Sequence, residues 1–178
     1  MRLYLIRHPK PDIDAGICYG RSDPGLAEDA AERAEALREL LPAAAPLYTS
    51  PLRRCLDLAL ALHAAPAIDA RLMEIHFGEW ELRRWDDIPR HQIDAWAADP
   101  VGYAPPGGES PAAMRARVAS LLAELPEVAV LVAHGGVLRA CVAELTGAAG
   151  WHEMHFDYGS ASLIENGRLI WKNRRDAD

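Results

Sequence analysis

Leu3-Tyr4-Leu5-Ile6-Arg7-His8 and Val128-Ala129-Val130-Leu131-Val132-Ala133-His134-Gly135 decide the fold of this chain. Each is a continuous apolar run, the pattern of a strand covered on both faces, and each closes on a histidine. In open α/β sheets, ligands gather at the carboxyl ends of the strands. The repeated context therefore predicts that His8 and His134 stand over one pocket.

Working outward, Leu47-Tyr48-Thr49 reads as a further short strand, followed by Ser50-Pro51-Leu52-Arg53-Arg54. Here Ser50 is expected as N-cap and Pro51 as first helical residue of a helix running toward His63. Ser110-Pro111 repeats that device before Met114, Val118, Leu121, Leu122 and Leu125 at helical spacing. Ala30–Leu41 predicts a helix stopped by Pro42, and Gly136–Leu145 another. Ser162–Glu165 and Leu169–Lys172 flank Asn166-Gly167, a strong hairpin signal. Strands alternating with helices and a closing hairpin predict an α/β three-layer sandwich, with a central mixed, mostly parallel sheet flanked by helices. Residues 76–109 hold Trp80, Trp85, Trp96 and Tyr103 before Pro105-Pro106-Gly107-Gly108. That stretch is too long for an ordinary connection and too aromatic for a linker. It is expected either as a partly helical lid insertion over the pocket mouth or as a satellite packing cluster that only covers core, in both cases within one domain spanning 1–178.

Composition limits the function classes. A chain of 178 residues with 50% hydrophobic content suits one domain with a substantial core. A net charge of −7 argues against a nucleic-acid surface. No apolar run approaches a membrane span, and the Met1–Ile6 opening is too short for a signal-peptide core. Cys18, Cys55 and Cys141 are scattered without CxxC spacing, which predicts free thiols and a cytoplasmic protein.

The residues at the strand ends suit a phosphoryl group, whose transfer spreads charge over three oxygens and asks the protein for positioning and electrostatics. Arg53, in the first turn of a helix, would add a planar fork of donors to an N-terminus that already favours anions. Arg7 points away from His8 in an extended strand and reaches the same site only if the backbone bends at Pro9. A neutral imidazole at His8 can attack phosphorus. His134 and the Gly135 N–H would face the phosphoryl oxygens. Glu74, Glu79 and Glu81 are candidates for the acid that protonates the leaving alcohol. Glu74, nearest the apolar segment around Ile68, is preferred. His63, His91, His152 and His155 lack such a context.

These motifs, LIRHPKP (5–11), ICYGRSDPGL (17–26), SPLRRC (50–55), MEIHFGEWE (73–81), PPGGES (105–110) and LVAHGGVLRA (131–140), resemble those of the histidine phosphatase superfamily, the phosphoglycerate-mutase-like proteins. Pro9 stands where that family usually has glycine. The resemblance implies a phosphoglycerate-mutase-like fold, His8 as the phosphorylated histidine, Arg7, Arg53 and His134 as the remaining phosphate pocket, and Glu74 as the acid and base. It also places Gly20 and Arg21 in a substrate-contacting loop. ICYGRSDPGL with GSASLIENGRL is most similar to the α-ribazole phosphatase branch. The implied activity is a metal-independent phosphomonoesterase, needing no cofactor, acting on α-ribazole 5′-phosphate or another small phosphorylated metabolite. The alternatives are a mutase that returns the phosphoryl group to a second hydroxyl, and a phospho-ligand binder without turnover. A metal hydrolase is disfavoured because HxH and HExxH spacings are missing and arginines repel a cation.

Overall fold

In a computed structural model describing residues 1–177, six strands form one mixed sheet. In chain order they are β1 (Arg2–Arg7), β2 (Leu47–Thr49), β3 (Ala67–Ile68), β4 (Val128–Ala133), β5 (Ala161–Glu165) and β6 (Arg168–Arg174). The helices are α1 (Ala30–Arg38), α2 (Arg53–Leu62), α3 (Arg90–Ala98), α4 (Pro111–Leu122) and α5 (Gly135–Thr146). The spatial order is β3-β2-β4-β1-β5-β6. The first four run parallel, and β5 and β6 are antiparallel additions. This is the expected sandwich.

The period-2 geometry of strands divides the core. Leu3 and Leu5 of β1, with Ala129, Leu131 and Ala133 of β4, pack among α4 and α5 residues such as Val118 and Leu138. Tyr4, Ile6, Val130 and Val132 face the other way, against Leu37 of α1 and Leu58 of α2. The hairpin forms at Asn166-Gly167, where both residues take positive φ, 49° and 75°, the conformation its two-residue turn requires. Ser110 caps α4 as expected, its hydroxyl accepting the Ala113 N–H at 3.1 Å.

One capping expectation is corrected. Helix α2 begins at Arg53, and its N-cap Leu52 makes no side-chain cap bond. Ser50 is buried below the helix, because its hydroxyl is 2.9 Å from Nε2 of His134. The start is thus two residues later than the Ser-Pro signature predicts, which bears on which arginine turns inward.

Residues 76–109 carry α3 and two short 3₁₀ turns, Gly78–Trp80 and Trp85–Asp87. They have their own small core, in which Cys18, Trp80 and Ile88 are buried. The preceding loop is joined to this segment by Cys18 N–H to Arg83 C=O at 2.8 Å and Trp85 N–H to Gly16 C=O at 2.9 Å. The three cysteines are buried and unbridged. No described helix is long and apolar enough to cross a membrane.

Candidate active site

Because β2, β4 and β1 are parallel neighbours in register, their carboxyl ends lie side by side. The His8 N–H continues the ladder to Ala133 C=O at 3.1 Å, and the Ser50 N–H does the same to Val132 C=O. The rings of His8 and His134 consequently meet edge to face, 5.1 Å between centroids. The tertiary structure brings together two residues 126 positions apart, but only His8 lines the neighbouring cavity, and the His134 ring is fully buried against Ser50 and Cys55.

His8 is 2% exposed, and its Nδ1 donates to the Pro9 carbonyl at 2.7 Å. That bond fixes the tautomer, so Nε2 carries the lone pair. Burial, then the charge of Arg54 and more weakly Arg7, holds the imidazole well below its ordinary pKa, against the opposing pull of the Pro9 hydrogen bond. His134 is wholly buried and is lowered likewise, by burial, then Arg54, His8 and Arg7. Both rings are neutral at neutral pH.

Arg7 departs from the strict alternation of a strand because the strand ends here. Its guanidinium rounds the rim, donates to the Phe156 carbonyl and lies under the Tyr158 ring, 3.6 Å from its centroid. The expected partner Arg53 is displaced by its neighbour. Arg53 is exposed and only its backbone N–H is engaged, by Asp23. Arg54 is fully buried, donating to the carbonyls of Gly20 at 2.6 Å and Ser22 at 2.7 Å. The reason is helical geometry. In a helix starting at 53, the inward face carries Arg54, Cys55, Leu58 and Ala59, and Arg54 lies four residues before Leu58, hence on its stripe. Arg7, His8, Arg54 and Glu74 line one cavity of about 220 Å³, together with Tyr19, Tyr158 and Arg139. Among the described residues, Nε of both Arg7 and Arg54 is buried without a hydrogen-bond partner. Unspent guanidinium donors beside a neutral imidazole suit a phosphoryl oxygen.

Of the three carboxylate candidates, Glu74 alone lines this cavity. Its Oε2 accepts the Gly136 N–H in the first turn of α5 at 3.0 Å, and its Oε1 accepts its neighbour Ile75 N–H. A Cβ on Gly136 would lie 2.3 Å from that Oε1, so the glycine admits the carboxylate. Arg117 holds the backbone behind Glu74, donating to the carbonyls of Arg71 and Glu74 while paired with Glu109 at 2.8 Å. Glu79 is exposed. Glu81 is an organiser: it accepts the N–H groups of Gly20, Arg21, Ser22 and Phe77. Burial raises its pKa, but these bonds and the Ser22 hydroxyl outweigh it and hold the carboxyl below its usual range.

The 20–22 loop is thereby pinned on both sides, its amides to Glu81 and two carbonyls to Arg54. Gly20 is where a side chain cannot go, since a Cβ there would sit 1.9 Å from the Ile75 carbonyl. Arg21 reaches Glu109 at 3.6 Å instead of the cavity. A Cβ on Gly135 would lie 3.5 Å from the Arg7 guanidinium, so that guanidinium stands beside the start of α5. Sequence reading missed Arg54, Tyr19, Tyr158 and Arg139. Arg54 was accessible from its spacing to Leu58; Tyr158, hydrogen-bonded to Tyr19 at 2.6 Å between hydroxyls, carries no local signal. Among the described residues, no three His, Cys, Asp or Glu side chains converge as metal ligands.

A mixed sheet of this order, sandwiched by helices with histidines at adjacent strand ends, is the phosphoglycerate-mutase-like α/β architecture. The chain belongs to the histidine phosphatase superfamily (branch 1), matched over residues 3–174. It is 34% identical to a glucosyl-3-phosphoglycerate phosphatase of Mycolicibacterium vanbaalenii, over 99% of this chain and 87% of that one. An adenosylcobalamin/alpha-ribazole phosphatase of Escherichia coli K12 is 31% identical, over 93% of this chain and 90% of that one. The solved alpha-ribazole phosphatase from Shigella flexneri superposes with a TM-score of 0.85 at 26% identity, covering 100% of this chain and 98% of that one. The chain is a phosphatase of this family; its relatives carry different substrate names.

Proposed function

We propose that the protein is a metal-independent phosphomonoesterase working through a phosphohistidine at His8, on a small phosphorylated metabolite, with α-ribazole 5′-phosphate the first candidate. The observation that carries this reading is the Nε2 lone pair of a neutral, tautomer-fixed imidazole beside two guanidinium groups with unpartnered Nε donors. The Nε2 lone pair forms the N–P bond as the ester P–O bond breaks, and Glu74 transfers its proton to the departing alkoxide. Water then attacks phosphorus, giving a proton to Glu74. The N–P bond breaks, and inorganic phosphate leaves a neutral imidazole. Arg7 and Arg54 hold the phosphoryl oxygens, with His134 and the Gly135 N–H beside them. Residues 76–109 cover this cavity as a lid.

A chromogenic phosphate ester in excess EDTA tests the reading. Wild type keeps full activity with chelator, and His8→Ala loses at least about a thousandfold, as expected when the nucleophile itself is removed. Activity surviving His8→Ala, or abolished by EDTA, overturns it.

A further inference from the structure

A second cleft, of about 310 Å³, adjoins the cavity at His8, and Ile75, Phe77, Trp85 and Arg139 line both. In-line displacement puts the leaving oxygen opposite the attacking nitrogen. With His8 attacking and Glu74 protonating, the alcohol departs on the Glu74 side. Glu74 is held there by the N–H of Gly136, which itself lines the second cleft. The organic half of the substrate thus extends along the shared wall into that cleft.

The cleft's chemistry is specific. Trp85 and Trp96 stack, centroids 5.7 Å apart and rings within 10° of parallel. They, and Tyr103, are only partly buried, whereas Trp80 is fully buried, bonded to Gln92 at 2.6 Å, and forms the segment's own core. The first three leave ring surface facing the cleft that the segment's packing does not use. Among the described lining residues there is no acid, and the basic groups are Arg139, at the junction with the first cavity, and His152. Arg139 is half-buried and donates to the His152 carbonyl at 3.3 Å. A cavity of roughly 150 Å³ accommodates benzene, so this one has space for two fused rings.

We propose that this cleft binds the leaving alcohol and selects phosphomonoesters whose alcohol carries a flat, uncharged aromatic or heteroaromatic ring a short linker away from the phosphoryl oxygen. Arg139 meets polar acceptors of the linker. The assignment rests on the phosphomonoesterase reading above, and it sets apart compact polyols and hydroxy acids, which would leave the aromatic faces wet.

The test uses non-hydrolysable phosphonates and matched esters. By calorimetry, wild type binds 2-phenylethylphosphonate at least about tenfold more tightly than ethylphosphonate, the scale of stacking a ring on an aromatic side chain. Trp96→Ala brings that ratio to about threefold or less, as expected when one stacking partner is removed. In turnover, 2-phenylethyl phosphate exceeds 2-cyclohexylethyl phosphate and glycerol phosphate in kcat/KM, chiefly through KM. These alcohols leave with similar difficulty, so the order reports fit. Equal affinity for the two phosphonates, or a cyclohexyl ester as good as the phenyl one, overturns the assignment without touching the phosphatase reading. Tight phenylethylphosphonate binding without turnover of any ester keeps the aromatic cleft and overturns that reading instead.

Discussion

Replacing Arg54 and Arg53 separately distinguishes this site from the one the sequence alone suggests. Arg54 is fully buried, and its two terminal nitrogens already hold the Gly20 and Ser22 carbonyls, with Asp23 at 3.5 Å and Nε left without a partner. Removing one preorganised donor to a developing anion costs about 10²–10³ in kcat, and Arg54→Ala is expected to fall in that range or below. The substitution also strands the buried Gly20 carbonyl, a loss of about 1–3 kcal/mol, and frees the half-buried Ser22 carbonyl, so reduced stability accompanies it. A second signature separates chemistry from folding. After burial, Arg54 is the largest influence holding His8 below its ordinary pKa. Without that charge the imidazole titrates at higher pH, and because only neutral His8 attacks, the acid limb of kcat/KM moves upward in pH. Arg54→Lys keeps the charge but cannot span both carbonyls, so it restores the limb while remaining slow. Arg53→Ala, on an exposed side chain, changes activity by less than about twofold. Steady-state hydrolysis of a chromogenic ester from acidic to neutral pH reads all four proteins. A collapse in Arg53→Ala with Arg54→Ala near wild type would refute the argument.

Stability should fall on mild acidification. His8 and His134 have folded pKa values lowered well below 6.5, so below pH 6.5 the unfolded chain binds more protons and stability drops as pH falls. The pair accounts for up to about 4 kcal/mol between pH 7 and pH 5. Urea midpoints in phosphate-free buffer measure this, and His8→Asn should reduce the slope by about one proton; a midpoint that is flat or rises toward pH 5 contradicts it. Gly136→Ala places a methyl 2.3 Å from Oε1 of Glu74. The movable side chain yields, so kcat falls roughly 10–100-fold by misplacement of the acid with little change in Tm. A large loss of Tm at unchanged kcat would show that the close approach is structural only.

The pattern of legibility follows interaction range. Strands β1 and β4 were readable because a strand covered on both faces must be apolar throughout, and the Asn166-Gly167 hairpin because few residues tolerate two positive φ angles. His8 and His134 could be paired from sequence because both inherit their position from a strand end. Glu74 is marked in the sequence only by its nearness to the apolar segment around Ile68, and its setting, the Gly136 amide and the Arg117 support, comes from segments far along the chain. Where a local signature competed with tertiary contacts, it lost. Ser50-Pro51 reads as a helix start, yet the Ser50 hydroxyl lies against the His134 ring, and the helix begins at Arg53.

The layered α/β plan, the placing of two imidazoles at adjacent strand ends and the nearby supply of arginines are all written in the local order of residues. All of these depend on hydrophobic periodicity and backbone sterics within a few residues. Which arginine faces the pocket, which glutamates serve as scaffold, and the meeting of Tyr19 with Tyr158 at the site are settled by the folded chain. Those outcomes depend on helix phase, buried hydrogen-bond satisfaction and contacts between residues more than a hundred positions apart, none of which a local pattern encodes.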